Sequence, residues 1–196
     1  KAEHAGLAPE KGISASMIAS LALADVKNSG WFGKIKKNNK EGTSNIGIFG
    51  GRNGNSAGQS PNTVTEYTYI KGESRSYDQS FVSEITDAYE NSFKKICDQY
   101  ENDEGERSKL KFTRHTDYYS FKLKDEEKAV AIAKEKVNKI GLKPKLVNIS
   151  GGFDANWLIK KDIPTITYGA GHNFCHTTEE FVIINDYYNA CSLSLL

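Results

Sequence analysis

The densest concentration of reactive side chains is the run Gly169-Ala170-Gly171-His172-Asn173-Phe174-Cys175-His176-Thr177-Thr178-Glu179-Glu180. It follows a strand-like segment, and α/β sheets carry functional loops beyond the carboxyl ends of their strands. A neutral imidazole nitrogen binds zinc, and a nearby carboxylate can fix the ring's tautomer from behind. His176 is thus a candidate metal ligand, with a solvated loop histidine as the plainer alternative. One imidazole makes no metal centre. A compact cluster of His172, Cys175 and His176 is the weaker idea, because ligands so close in sequence lack a fourth partner.

A second candidate is Gly151-Gly152-Phe153-Asp154-Ala155-Asn156. A glycine turn lets backbone approach a ligand, and Asp154 falls at the start of a helix, where a plain N-cap is the alternative. His4 precedes Pro9, Gly12 and a helix, a setting in which lone histidines are usually structural or solvated. Arg75, near a strand end, has a guanidinium able to grip a carboxylate with two parallel bonds, or to pair with a surface acid. The sequence holds no Gly-rich phosphate loop, no Cys-x-x-Cys and no nucleophilic-serine motif. On residue types alone, function stays open.

These residues need elements to hold them. Met17, Ile18, Leu21, Ala22 and Val26 recur at three- and four-residue steps, which predicts a helix from Ser14 to about Val26 with these residues on its buried face. Asn45 to Phe49 is a short β-like run, and Arg52 to Pro61 is loop by composition. Thr63 to Arg75 reads as a long strand whose imperfect alternation predicts a bend or bulge. Asp78 can cap a helix reaching about Tyr100, with Phe81, Ile85, Ala88, Tyr89, Phe93 and Ile96 as its apolar stripe. Leu110 to Phe121 is again strand-like. This order predicts a two-layer α/β sandwich with an antiparallel sheet, in a βαββαβ-like order. Beyond Lys122 the pattern alternates: helix Asp125 to Ile140, strand Lys145 to Ile149, helix Ala155 to Lys160, strand Thr165 to Tyr168. Such alternation predicts part of a mostly parallel α/β domain. The expected division is therefore 1–121 and 122–196.

The chain has 196 residues, with 26 Lys and Arg against 25 Asp and Glu. A balance this even lacks the basic excess that attraction to phosphate backbones requires, so nucleic acid is not an expected partner. No apolar run approaches the length that spans a bilayer, so no membrane partner is expected either. Three scattered cysteines, Cys97, Cys175 and Cys191, favour a reducing compartment over a disulfide framework, and the expected location is the cytoplasm. The opening residues Lys1 to Gly6 have neither an initiator Met nor the features of a signal peptide, and the expectation is that the protein begins upstream.

Read together, the patches resemble a known family. His4-Ala5-Gly6-Leu7-Ala8-Pro9-Glu10-Lys11-Gly12-Ile13-Ser14-Ala15 resembles the opening of the lid domain in di-zinc metallopeptidases of the peptidase T and carboxypeptidase G type. Asn62-Thr63-Val64 with Glu73-Ser74-Arg75-Ser76 resembles that lid's asparagine and arginine strand. Gly151 to Asn156 resembles the family's Gly-Gly-x-Asp-Ala-Asn turn, and His176-Thr177-Thr178-Glu179-Glu180 its terminal His-Thr-x-x-Glu motif. Four motifs in the right order span nearly the whole chain.

The resemblance implies a catalytic domain interrupted by a dimerising lid, and two zinc ions in the intact enzyme. Of the family's metal ligands only the last would lie here, as His176, so the metal site of this chain alone would be incomplete. The general-base Glu would also lie upstream. His4 matches the lid histidine that stabilises the oxyanion in the partner subunit's site. Asn62 and Arg75 match groups that grip the substrate's carboxylate and backbone, and Gly152 and Asp154 match the turn lining the substrate side. The implied activity is removal of an N-terminal residue from a short peptide such as a tripeptide, with the segment alone inactive. Hydrolysis of N-acyl amino acids or carboxypeptidase action on the same scaffold is the alternative, and a non-catalytic dimerisation module is the reading of another class. Three departures stand out: a long Arg52 to Pro61 loop, Phe153 in place of a small or hydroxylated residue, and Cys175 beside His176.

Overall fold

A computed structural model describes residues 1–52 and 55–196, so Asn53 and Gly54 of the expected loop lie outside the described residues. The chain divides into two compact units, Lys1–Thr116 and Asp117–Leu196.

The first unit is a two-layer α/β sandwich. Helices α1 (Ala15–Asn28) and α2 (Gln79–Gln99) pack on each other beside an antiparallel sheet of order β1 (Gly33–Lys37), β2 (Lys40–Gly50) and β3 (Tyr69–Ser76). Both helices start where their cap residues dictate. Ser14 Oγ accepts from the Met17 amide, and the Asp78 carboxylate accepts from the amides of Ser80 and Phe81. The stripe of α2 is close to that expected: Phe81, Ile85, Tyr89 and Phe93 are buried, with Ser92 and Cys97 beside them. On α1 the buried face is rotated by a residue. Ile18, Ala19, Ala22 and Val26 are inside, while Met17 and Leu21 are exposed. The small Ala19 lets α1 lie close to its neighbours, a role that a ranking by hydrophobicity overlooks.

Between the helices, Asp25 accepts hydrogen bonds from Ser92 Oγ and Lys95 Nζ, both at 2.8 Å. A buried polar link joins helix to sheet: Ser44 Oγ donates to the Trp31 carbonyl at 2.7 Å and lies 2.9 Å from the Tyr89 hydroxyl. Gly42 permits the close packing of α2 on the sheet, since a Cβ there would lie 2.6 Å from the Arg75 carbonyl oxygen and 2.9 Å from Ile85 Cδ1.

Strand β1 and the first half of β2 were not foreseen in the sequence. Asn38 and Asn39 both have positive φ, 51° and 62°. That is what a two-residue primed hairpin turn requires, and Asn tolerates it. The short run at Asn45 to Phe49 is the end of an 11-residue strand. The irregularity expected within Thr63 to Arg75 lies instead on the partner strand: the β2–β3 register shifts between Ile46 and Ile48, at Gly47. Regular pairing on that segment begins only at Tyr69, although Thr63 makes an isolated bridge to His4. Leu110 to Phe121, expected as a strand, has no strand assignment. Leu110 and Phe112 still pack on the helical core as alternate residues, and the chain bends further on at Asp117 and Tyr118.

In the second unit, α3 (Lys128–Lys139), α4 (Asp154–Ile159) and α5 (Ile184–Ser194) accompany a two-stranded antiparallel pair, β4 (His172–Asn173) and β5 (Phe181–Val182). The expected strands Lys145 to Ile149 and Thr165 to Tyr168 are not assigned as strands. Leu146, Val147 and Ile149 leave much of their apolar surface exposed. A parallel strand needs neighbours to form its ladder, and the described residues of this unit provide none. The boundary expected after Phe121 falls a few residues inside this second unit. Among the described residues no helix is long and apolar enough to cross a membrane.

Candidate functional site

The stretches around His4 and Asn62, far apart in sequence, are joined by two backbone hydrogen bonds that pair His4 with Thr63. The Val64 amide donates to the Glu3 carbonyl at 2.9 Å, the Ala5 amide donates to the Asn62 carbonyl at 2.8 Å, and His4 bridges Thr63. Both side chains belong to exposed residues. Past His4 the chain turns sharply, because the His4 carbonyl accepts from the amides of Leu7 (3.2 Å) and Ala8 (3.1 Å). Inside this turn the Gly6 amide donates to His4 Nδ1 at 3.1 Å. Asn62 is held in a comparable way, its Oδ1 accepting from Ser60 Oγ. With Nδ1 occupied, a neutral His4 imidazole offers a ligand only its Nε2–H donor, while Asn62 keeps its Nδ2 hydrogens and one lone pair on Oδ1. Neither Gly6 nor Ser60 stood out as functional from the sequence. Their only signal is a position two residues from a candidate side chain.

Arg75 sits elsewhere, near the carboxyl end of β3 in register with Thr43. Asn62 precedes β3, so the two lie at opposite ends of one extended segment. The Arg75 guanidinium pairs with Glu73 at 2.6 Å on the same face of the strand.

In the second unit, the Gly151–Asn156 turn runs into α4. Asp154 is not the helix cap. Phe153 occupies that position, and its amide donates to Oδ1 of the buried Asn156 at 2.7 Å. Asn156 Nδ2 in turn donates to the Tyr119 carbonyl at 2.7 Å, so Asn156 ties the turn to the chain before it. Asp154 lies in the first helical turn, exposed, where the helix dipole favours its charge. Gly152 is obligatory for packing: a Cβ there would lie 2.8 Å from the Tyr118 ring. The Phe153 ring folds back over Gly151, where a Cβ would come within 2.6 Å of it.

His176 is at the tip of the β4–β5 hairpin, exposed, with φ at +68°, a left-handed conformation uncommon outside glycine. Phe174 is also left-handed at +53°. Thr177 stabilises the tip: its amide and hydroxyl both donate to the Phe174 carbonyl, and its hydroxyl accepts from the Glu179 amide. Among the described residues no group of three or more His, Cys, Asp or Glu side chains is arranged to hold a metal ion, so His172, Cys175 and His176 do not form a centre of their own.

Comparison with known proteins gives the family. A family model described as a peptidase dimerisation domain matches residues 1–101. The uncharacterized protein YqjE of Bacillus subtilis (strain 168) is 34% identical over 186 residues, covering 95% of this chain and 45% of that protein. Among solved structures, the aminopeptidase PepT of Bacillus cereus ATCC 10987 superposes with a TM-score of 0.74 at 29% identity, over 100% of this chain and 47% of its own. A tripeptidase of Staphylococcus aureus subsp. aureus Mu50 superposes with a TM-score of 0.71 at 27% identity, again over 100% and 47%. The chain thus spans about half the length of these relatives. An α/β sandwich matched over residues 1–101 by its own family model carries the conclusion: the chain belongs to the M20 peptidase family, of which it contains the dimerisation domain.

Proposed function

We propose that this chain is the lid and closing segment of a di-zinc aminopeptidase that removes the N-terminal residue of short peptides, tripeptides among them. The first unit acts as the lid, and the second as the end of the catalytic domain. The observation that carries the reading is a dimerisation-domain match over residues 1–101 of a two-layer α/β unit that leaves His4 exposed at its bridge to Thr63. Likeness to an aminopeptidase and a tripeptidase supports the substrate class.

Zinc fits this chain as far as one ligand, His176, exposed on its hairpin. When bound with the family's full ligand set, the ions supply Lewis-acid polarisation of the scissile carbonyl and activation of water. The chain's own residues do the rest. His4 donates from Nε2 to the carbonyl oxygen as it gains negative charge in the partner subunit's site, and such a donor is worth on the order of 3 kcal/mol. Asn62 donates to substrate backbone. Arg75 exchanges Glu73 for the substrate's carboxylate, which its fork meets with two parallel bonds. Gly152 keeps the turn low beside the substrate, and Asp154 faces it with a carboxylate.

The lid pairs with a second copy to form a homodimer. Met17 and Leu21 on α1, with Ile48 and Phe49 near the end of β2, leave apolar surface exposed in the isolated unit. Ser16 and Phe49 line one shallow depression, so these two patches are neighbours. Three free cysteines favour the cytoplasm.

The intact, zinc-loaded protein tests the activity. Release of the N-terminal residue from tripeptides is expected; cleavage of N-acetyl amino acids alone would reject the peptidase in favour of a deacylase.

A further inference from the structure

The His4 ring has a partner that the proposed activity does not require. Its Nδ1 accepts the Gly6 amide hydrogen at 3.1 Å, inside the tight turn made by the amides of Leu7 and Ala8 on the His4 carbonyl. A neutral imidazole has one N–H and one bare nitrogen, and the hydrogen bond on one side fixes which is which. An amide hydrogen aimed at Nδ1 is compatible only with the bare nitrogen there. The alternative tautomer would set two donors against each other and leave the Gly6 amide without its acceptor.

We propose that Gly6 is a positioning residue: its backbone N–H holds His4 as the Nε2–H tautomer, with the ring fixed so that Nε2–H alone points to the ligand. The ligand atom that meets the His4 ring must therefore be an acceptor, a carbonyl or anionic oxygen, and not the ammonium end of a peptide. The catalytic meaning of this selectivity rests on the proposed role of His4; the tautomer itself does not. A side chain at Gly6 is not excluded by space, since a Cβ there would lie 3.5 Å from His4 Cε1, an ordinary contact. The requirement is the N–H, which every residue except proline has.

The test is nitrogen-15 NMR on the labelled 196-residue chain, at about pH 8, where free imidazole is neutral. Expected are an unprotonated-type shift at His4 Nδ1, a protonated-type shift at Nε2, and a scalar coupling across the hydrogen bond between the Gly6 amide nitrogen and Nδ1. Gly6→Ala is expected to retain all three. Gly6→Pro is expected to lose the coupling and bring the two ring shifts together as the tautomers mix. Should Gly6→Pro fail to fold, the wild-type spectrum decides. A proton on Nδ1 in the wild type, absence of the coupling, or unchanged ring shifts in a folded Gly6→Pro chain would overturn the proposal. None of these readouts depends on turnover, so an inactive intact protein whose chain shows the coupling refutes the proposed activity and supports this inference.

Discussion

At His4, the chemistry depends on a single N–H. If it meets the developing oxyanion, His4→Ala in the intact enzyme lowers kcat by about 10²–10³-fold with little change in KM. His4→Gln, which can still offer an N–H at similar reach, recovers part of that loss. Arg75 predicts the complementary pattern. Arg75→Lys keeps the charge but loses the two-pronged fork, so KM for tripeptides rises about tenfold or more while kcat holds; steady-state kinetics of the three variants separates binding from turnover. His4, Arg75 and His176 could be singled out as candidates in the sequence because the chemistry of an imidazole or a guanidinium is intrinsic to the side chain. The groups that orient them could not. The Gly6 amide acts through backbone, which sequence does not display, and Asn156 does the tying work that the neighbouring Asp154 advertised.

Among the elements, the two long helices of the first unit were legible from caps and periodicity, and Asp78 shows why. Its carboxyl is held below the usual carboxylate range, first by the Ser80 hydroxyl and then by the amides of Phe81 and Ser80, with Lys40 adding to the effect. Asp78→Ala should destabilise the fold by about 1 kcal/mol at neutral pH. Because the folded state lowers this pKa, the contribution is complete above the ordinary carboxylate value and is lost as pH falls through the depressed one. Urea denaturation of wild type and variant should therefore differ at pH 7 and converge at strongly acidic pH; a gap independent of pH would assign the stabilisation to something other than this charge. The hairpin of β1 and β2 escaped notice because its turn uses Asn38-Asn39, without the Gly that usually marks such turns, and because Ile35 is the single apolar residue of β1. The segments at 110–121, 145–149 and 165–168 have strand-like composition. Composition records a liking for extended backbone, but a ladder needs a neighbour.

For the molecule as a whole, the family was legible in four spaced motifs, whereas no group of three or more metal-binding side chains is gathered among the described residues. His4 is in one unit and His176 in the other, and the proposed dimer has each active site use His176 of one subunit with His4 of its partner. Light scattering on the intact protein should give twice the subunit mass. Subunit mixing is the most direct test. His4→Ala and His176→Ala homodimers should each be nearly inactive. Unfolded together and reassembled in equal amounts, half of the dimers combine one of each, and every such dimer regains one complete site, so about a quarter of wild-type tripeptide hydrolysis should return. A reassembled mixture no more active than its two parents would contradict the account, because His4 would then serve its own subunit or no site at all.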